Sequence, residues 1–147
     1  MSIVIKTAID IDAPAKDVWA VLTDFSAYGE WSNFSSIDGM AQTGTKLAMK
    51  MPGMSFGSTV TAAEPEKKLE WAASILTNDI FCGRHTFTLT RNPDGSTHLD
   101  NTETFSGALV WPLQGLFTKN GARRANGYDG FNQALKKRVE SRAVTRG

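Results

Sequence analysis

Two neighbouring segments with strand-like alternation each carry an ionisable side chain on their apolar face. In the first segment His85 is in phase with Phe87, and in the next segment Glu103 is in phase with Phe105. Alternate residues of a strand point to the same side of a sheet, so both side chains are predicted to face inward, as is Asn101. A histidine beside a carboxylate can act as a general acid or base near neutral pH, which makes this pair the first candidate for chemistry.

The turn between the two segments predicts which of their residues face each other. A Pro-Asp-Gly sequence at residues 93–95 is typical of a three-residue hairpin loop, which pairs Asn92 with Ser96. This register places His85 opposite Glu103, with their Cβ atoms about 5 Å apart. Three interpretations remain open: the two side chains satisfy each other and shape the interior, they recognise a ligand, or they catalyse a reaction.

A third candidate lies on the predicted C-terminal helix. Arg124 falls on the apolar stripe of that helix, whereas Arg123 is about 100° away and is predicted to be solvated. An inward guanidinium would pair with Glu103 or with an acidic ligand group, and the alternative is that Arg124 extends along the helix edge to solvent. In an enzyme, His85 would exchange a proton with a bound carbonyl compound. Glu103 would then orient His85, and Arg124 would stabilise developing negative charge.

The chain offers little for other kinds of chemistry. Cys82 is out of phase with the inward-facing set and has no histidine in phase beside it, so it is not predicted to be a nucleophile. One cysteine and two histidines allow no internal disulfide and no zinc-ligand spacing. No phosphate-binding loop, dinucleotide fingerprint, nucleophile elbow or metal-ligand helix occurs, so neither a cofactor nor a metal is expected.

The elements that position these residues begin with a strand and two helical segments. Alternating isoleucines predict a first strand over residues 3–11, and Pro14 opens a first helix that ends near Asp24. The aromatic-rich segment 25–34 predicts a short second helix or a wrapped loop.

A region of period-2 alternation follows, and turn signals divide it into six strands. The predicted strands are at approximately residues 35–41, 45–51, 55–63, 68–75, 81–91 and 97–107. From near Pro112 to near Arg142 the apolar residues return to period 3.6, which predicts one long helix. A curved antiparallel sheet of about seven strands with the long helix across its concave face buries both apolar surfaces.

Length and composition are those of a single soluble domain. The chain has 147 residues, of which 41% are hydrophobic and 21% are charged, so disordered and collagen-like chains are excluded. No apolar run is long enough to cross a bilayer, and the start alternates instead of resembling a signal peptide. A cytoplasmic location is therefore expected.

Charge is distributed unevenly along the chain. Residues 1–118 contain 8 basic and 13 acidic side chains, a balance of −5, whereas residues 119–147 contain 8 basic and 2 acidic side chains, a balance of +6. The basic segment suits a solvated helix face that complements the helix dipole, or a surface that binds another protein or an anionic surface. No helix-turn-helix, RNA-recognition or zinc-finger signature accompanies it, so nucleic acid is not an expected partner.

Several motifs in a fixed order resemble a known superfamily. They are Ile11-Asp12-Ala13-Pro14 with Val18-Trp19, residues 24–34, Gly44-Thr45-Lys46-Leu47, Glu103-Thr104-Phe105-Ser106-Gly107 and residues 126–136. On these segments, which span essentially the whole chain, the sequence resembles the helix-grip superfamily of START domains, pollen allergens and polyketide cyclases, also called SRPBCC. The resemblance implies one α+β domain over residues 1–147, with a hydrophobic cavity that binds lipids, sterols, polyketides, quinones or similar molecules.

The leading functional expectation is the binding of a small hydrophobic molecule between the sheet and the long helix. The side chains predicted to line this cavity are Trp31, Phe34, Leu47, Met49, Phe56, Trp71, His85, Phe87, Glu103, Phe105, Phe117 and Tyr128. Met49, Met51 and Met54 straddle a turn, where they line a ligand entrance or fill a core edge. The alternatives are a cyclase, dehydratase or hydrolase using His85 and Glu103, and a ligand-free modulator that acts through the basic C-terminal segment.

Overall fold

One antiparallel sheet, two short helices and one long helix form the described part of the protein. In the computed structural model the described residues are 2–75, 77, 79–110, 112 and 121–146, without the side chains of residues 75, 121–126 and 143–146. The strands are β1 (Ser2–Ile11), β2 (Ser36–Asp38), β3 (Lys46–Met51), β4 (Met54–Glu64), β5 (Lys68–Ile75), β6 (Phe81–Arg91) and β7 (Thr97–Ser106). The helices are α1 (Ala15–Thr23), α2 (Tyr28–Trp31) and α3 (Gly121–Arg146), with a 3₁₀ turn at Phe25–Ala27. The predicted α+β architecture is confirmed.

The sheet has the strand order β1-β7-β6-β5-β4-β3-β2, and each neighbouring pair is antiparallel. The first strand therefore pairs with the last one, and β7 has a partner on both sides. Helix α3 packs across β1 and against α1 and α2. We call the face of the sheet that carries the buried apolar residues and packs on the helices the inner face.

The hairpin between β6 and β7 has the register that its turn predicts. The Asn92 amide donates to the Ser96 carbonyl at 2.9 Å, and Gly95 has a φ of +90°, which glycine adopts without strain. His85 lies opposite Glu103 in the resulting ladder. The predicted pairing of these two residues is confirmed.

The long helix extends further at its C-terminal end than predicted, and its predicted start is not tested. Helix α3 is described from Gly121 and continues to Arg146, beyond the predicted end near Arg142. Residues 143–146 contain no glycine or proline that would end a helix after Arg142, and Gly147 is the first glycine that follows. Pro112, near which the helix was expected to begin, lies in a turn, and residues 113–120 lie outside the described residues.

The main core lies between the inner face and the helices. Val18 and Leu22 of α1 and Phe131 and Leu135 of α3 are buried in it. From the sheet it includes Leu47, Met49, Val60, Leu69, Trp71, Phe87, Leu89 and Leu99. A second, smaller cluster is formed by Phe105 and Val110, with Ile3, Ile5 and Phe81 packed against it.

The two clusters occupy different parts of the sheet. Because neighbouring strands are antiparallel, the β3–β4 turn at Pro52, the β5–β6 connection, the end of β7 and the start of β1 lie at one end. We call this the Pro52 end. The second cluster lies there on β1, β6 and β7, whereas the main core extends from Leu47 and Met49 of β3 to the opposite end, where Leu89 pairs with Leu99.

A tight backbone contact joins two connections at the Pro52 end. The Ala108 amide donates to the Asp79 carbonyl at 2.9 Å, and the Leu109 amide donates to the Ile80 carbonyl at 3.0 Å. Gly107 precedes this contact with a φ of +110°, and a Cβ there would lie 2.6 Å from the Ile80 oxygen. Only glycine fits this position without moving backbone.

None of the helices within the described ranges is long and apolar enough to span a membrane.

Gly107→Ala is expected to lower the free energy of unfolding by about 3 kcal/mol, because a positive φ costs about 1–2 kcal/mol and the collision with the Ile80 backbone adds to it. Gly53→Ala is the matched control, since Gly53 has a φ of +78° with nothing within 4 Å of an added Cβ. The control should lose only about 1 kcal/mol. Urea unfolding of both variants measures the difference, and equal losses would contradict the role of the Ile80 contact.

Candidate functional site

The His85 and Glu103 side chains meet on the inner face of the sheet. Nδ1 of His85 lies 3.2 Å from Oε2 of Glu103, and the two side chains are 12% and 13% exposed. The pair is therefore within hydrogen-bond reach and almost removed from water. The sequence correctly predicted that His85 lies opposite Glu103, because the register of a hairpin depends on the residues of its turn.

Three aromatic rings hold the His85 imidazole in place. The Phe87 ring stacks on it with a centroid distance of 4.5 Å, and the Trp71 ring lies at 5.2 Å. Tyr128 of α3 meets the imidazole edge-on at 5.5 Å. With a carboxyl group on one ring nitrogen and rings on its faces, His85 has little freedom to rotate.

A buried polar network lies behind His85 and was not predicted. Nε2 of His85 lies 2.5 Å from Oδ1 of Asn101, whose Nδ2 donates to Oδ1 of Asn132 at 2.8 Å. Nδ2 of Asn132 donates in turn to the Thr7 hydroxyl at 2.9 Å. Asn101 and Asn132 are 0% and 1% exposed, so the two amides at the centre of the network, which connects β1, β6, β7 and α3, are buried.

The sequence indicated Asn101 and Asn132 only weakly as members of this network, and Thr7 not at all. Asn101 was placed inward by alternation but was given no role. Asn132 follows Phe131 on the buried side of α3, where a polar side chain must find a partner. Thr7 lies on the same face of β1 as the isoleucines. From the sequence alone, it could not be distinguished from an ordinary strand residue.

Burial determines the charge of His85. It lowers the pKa of this histidine to about 4, although the hydrogen bond with Asn101 acts in the opposite direction. The imidazole is therefore neutral at pH 7, with one protonated and one unprotonated ring nitrogen.

Small residues lie beside the pair toward the Pro52 end. Gly83 of β6 pairs with Ala73 of β5 on one side and with Phe105 on the other. A Cβ added at Gly83 would lie 3.2 Å from Oε1 of Glu103, so the carboxyl group lies directly above this glycine. The absence of a side chain at Gly83 leaves room for the carboxyl group on the inner face.

Most of the predicted lining residues belong to the main core. Phe34, Leu47, Met49, Trp71 and Phe87 are buried members of it. Trp31 and Phe56 are half-buried against it. Their part in binding a ligand stays a prediction, because protein side chains already surround them.

The other predicted lining residues lie elsewhere. Phe105 belongs to the second cluster, and Tyr128 contacts His85. Phe117 lies outside the described residues. Arg124 lies on α3, but its side chain is outside the description, so neither the inward nor the solvated orientation is tested.

The three methionines around the Pro52 turn separate into different environments. Met49 is 1% exposed in the main core, and Met51 is half-buried at its edge. Met54 is 55% exposed. Together with Phe34, residues Met51 and Met54 border an open pocket of about 530 Å³ that also includes Ser32 and Asn33. Met49 is thus a core residue, whereas Met51 and Met54 border the pocket, and their role at a ligand entrance stays a prediction.

Within the described residues, no three His, Cys, Asp or Glu side chains form a group that could hold a metal ion. Cys82 is buried as a free thiol. It alternates with His85 along β6, so its side chain starts from the other face of the sheet.

The sequence matches a family model described as polyketide cyclase / dehydrase and lipid transport, over residues 2–140. The chain belongs to this family. The resemblance to the SRPBCC superfamily that the motifs indicate is thereby confirmed. A search of curated proteins finds no significant match.

Solved structures share the fold of this family member. The Mesorhizobium loti protein MLL2253 is 22% identical, with a TM-score of 0.66 over 97% of this chain and 98% of that chain. A point mutant of norcoclaurine synthase from Thalictrum flavum, in complex with a transition state analogue, is 15% identical, with a TM-score of 0.69 over 97% of both chains. The di-domain ARO/CYC protein StfQ of the steffimycin biosynthetic pathway is 14% identical, with a TM-score of 0.75 over 98% of this chain and 52% of that chain. These identities show likeness of fold alone.

The low pKa of His85 predicts a loss of stability in acid. Between pH 6.5 and pH 4 the unfolded chain takes up a proton at this histidine and the folded protein does not, so falling pH favours unfolding. At pH 4.5 the loss amounts to about 2–3 kcal/mol relative to pH 7. Urea unfolding of wild type and His85→Gln at both pH values measures it, because only the wild type contains this contribution.

The second histidine provides an internal control by NMR. His98 lies 2.9 Å from Asp10 and 3.3 Å from Asp100 on the other face, and its hydrogen bond with Asp10 raises its pKa. Of the chain's 2 histidines, one should therefore titrate below pH 5 and the other above 6.5. The groups that face His85 are Glu103 and Tyr128. A titration midpoint of His85 near pH 6.5 would contradict the argument from burial.

Proposed function

We propose that the protein binds a small hydrophobic molecule with at least one polar group, in the space between the sheet and α3. The proposal is carried by the position of the His85–Glu103 pair, which places two polar side chains among apolar neighbours on the inner face. A small-molecule site needs apolar walls for affinity and a few polar groups that fix orientation. The pair supplies the polar groups.

The apolar wall lies between the pair and the Pro52 end. Ile3, Ile5 and Phe81 are only half-buried there, although they face the same side of the sheet as the pair. The large residues on the other side of the pair, Trp71 and Phe87, are 3% and 0% exposed. A ligand would therefore cover the half-buried apolar surface and leave the main core intact.

The predicted lining residues divide into two roles under this proposal. His85, Glu103, Phe105 and Tyr128 contact the ligand. The core members among the predicted residues form the wall behind it, and Gly83 leaves room for the Glu103 carboxyl group.

The comparisons support a small-molecule ligand in general terms. The description of the family includes lipid transport as well as cyclase and dehydrase activity. Norcoclaurine synthase, which has the same fold, has been solved in complex with dopamine and hydroxybenzaldehyde. Neither observation selects among lipids, quinones and polyketides for this chain.

Native mass spectrometry of the protein purified from cells tests the proposal directly. We expect a mass in excess of the polypeptide, which is released by organic solvent and identifies the ligand class. A bare polypeptide mass, together with no saturable binding of a panel of lipids, quinones and polyketides, would contradict the proposal.

A larger side chain at Gly83 should weaken binding, because it would displace the Glu103 carboxyl group. Gly83→Val places methyl groups against Oε1 of Glu103 and the Phe105 ring, so affinity for the fluorescent probe anilinonaphthalene sulfonate should fall at least about tenfold. Gly57→Val is the matched control, because Gly57 is exposed, pairs with Ala48 and has only the Leu47 carbonyl near an added Cβ, at 3.8 Å. Equal affinities of the two variants would place the probe elsewhere.

A second candidate function is acid–base chemistry on the bound molecule. The 3.2 Å contact between a neutral imidazole and a carboxyl group favours it, because such a pair can give and take a proton in a dry site. With the retained molecule as substrate, His85→Ala should slow product formation at least about a hundredfold while leaving the fold intact. Liquid chromatography with mass detection measures the rate, and an unchanged rate would leave binding as the only function.

The basic C-terminal segment is less well supported as a docking surface. Lys136 pairs with Glu140 at 2.7 Å and donates to the Asp10 carbonyl, and Arg138 pairs with Glu30 at 2.9 Å. These two cations therefore have partners within the chain, as the solvated-face interpretation expects. We favour ligand binding over the ligand-free modulator for this reason.

A further inference from the structure

The hydrogen bonds behind His85 form one continuous chain with a fixed starting point. At one end the Thr7 hydroxyl donates to the backbone carbonyl of Asn101 at 3.0 Å. Asn101 is also the residue that lies opposite Thr7 in the β1–β7 ladder. At the other end Nε2 of His85 meets Oδ1 of Asn101. Asn132 of α3 lies between Thr7 and the Asn101 amide and contacts both.

The carbonyl at the start determines the direction of every later bond. A carbonyl only accepts, so the single Thr7 proton is used there and the Thr7 oxygen must accept from Nδ2 of Asn132. Oδ1 of Asn132 then faces Asn101 and accepts from its Nδ2. Oδ1 of Asn101 is thereby turned to His85 and accepts a hydrogen from Nε2. The neutral ring is thus protonated on Nε2.

This tautomer leaves Nδ1 as the basic nitrogen of His85. Nδ1 lies 3.2 Å from Oε2 of Glu103, and two acceptor atoms at this distance attract each other only when a proton lies between them. Nε2, in contrast, is committed to an asparagine that is 0% exposed. A molecule at this site would therefore meet the pair from the Nδ1 and carboxyl side and not through Nε2.

We propose that Thr7, Asn132 and Asn101 are positioning residues that hold His85 as its Nε2–H tautomer and direct its basic nitrogen to Glu103. The orienting role expected of Glu103 from the sequence then passes to Asn101. Asn101, not Glu103, orients the imidazole, and Glu103 with Nδ1 forms the side of the pair that a ligand meets. The tautomer is a property of the protein without ligand, and only its use in recognition rests on the proposed function.

Nitrogen NMR of protein labelled in its histidine rings tests the tautomer. At pH 7 the His85 ring should show a protonated Nε2 and an unprotonated Nδ1, with ring protons coupled accordingly. His98, on the other face of the sheet, serves as the internal reference. An Nδ1–H tautomer for His85 in the wild type would overturn the proposal without any variant.

Two substitutions at Thr7 separate positioning from packing. Thr7→Val keeps the shape and removes the hydroxyl, so the Asn132 and Asn101 amides lose their directing group and the single Nε2–H signal should give way to a mixture of tautomers. Thr7→Ser retains the hydroxyl and should restore the wild-type spectrum. An unchanged tautomer in Thr7→Val would overturn the role of the relay, since a merely structural residue would alter stability without altering the tautomer.

A variant of another residue in the network tests the proposal if Thr7→Val does not fold. Asn132→Leu removes the same relay from α3, and amide spectra establish that each variant is folded. It should also lose the single Nε2–H signal. Retention of that signal in folded Asn132→Leu would overturn the proposal equally.

Probe binding distinguishes this inference from the proposed function. Titration with anilinonaphthalene sulfonate is carried out on the same samples. Loss of the tautomer in Thr7→Val, with no saturable probe binding even by wild type, would support the relay and contradict the binding function. An Nδ1–H tautomer in wild type that still binds the probe in a Gly83-dependent manner would overturn the relay and support the function.

Discussion

The pairing of β7 with both β6 and β1 is the constraint on which the candidate site depends. The β6–β7 register sets Glu103 against His85, and the β1–β7 register sets Thr7 against Asn101. A shift of either register by one residue would turn one member of each pair to the other face of the sheet. The site therefore exists only because one strand is held in register on two sides, once by a tight hairpin and once by a long-range ladder.

Burying these polar side chains is acceptable because each is hydrogen-bonded. An unpaired buried polar group costs about 1–3 kcal/mol, and this interior contains two asparagines and a histidine with almost no exposure. The network connects them in series, so every amide oxygen and at least one amide hydrogen is used. A network of this kind specifies how α3 sits on the sheet, because an apolar contact would tolerate small rotations of the helix and a hydrogen bond does not.

The inner face is divided by residue size. Beside His85, the rings of Trp71, Phe87 and Phe131 pack in series in the main core. Toward the Pro52 end, Gly83 and Ala73 lie beside half-buried apolar residues. Large rings and small residues on the same sheet thus separate a fully buried region from a half-buried one, which is where we propose that a ligand binds. The His85–Glu103 pair lies at the boundary, where it can contact both.

Local patterns in the sequence determined the strands, the hairpin register and the His85–Glu103 contact. Each follows from period-2 alternation and from turn chemistry at residues 93–95, which act over a few residues. The family followed from ordered motifs along the whole chain. These features need no knowledge of how the helix packs.

Tertiary structure alone decided the polar network and the filling of the interior. Thr7 and Asn132 are 125 residues apart, and their hydrogen bond depends on the rotation and height of α3 above the sheet. The proposed tautomer of His85 follows from that distant contact. The burial of Phe34 is equally non-local, because the rings around it belong to Tyr28, Trp71 and Phe131 of three different elements. Packing is a collective outcome of all side chains at once, so no pattern within one segment contains it.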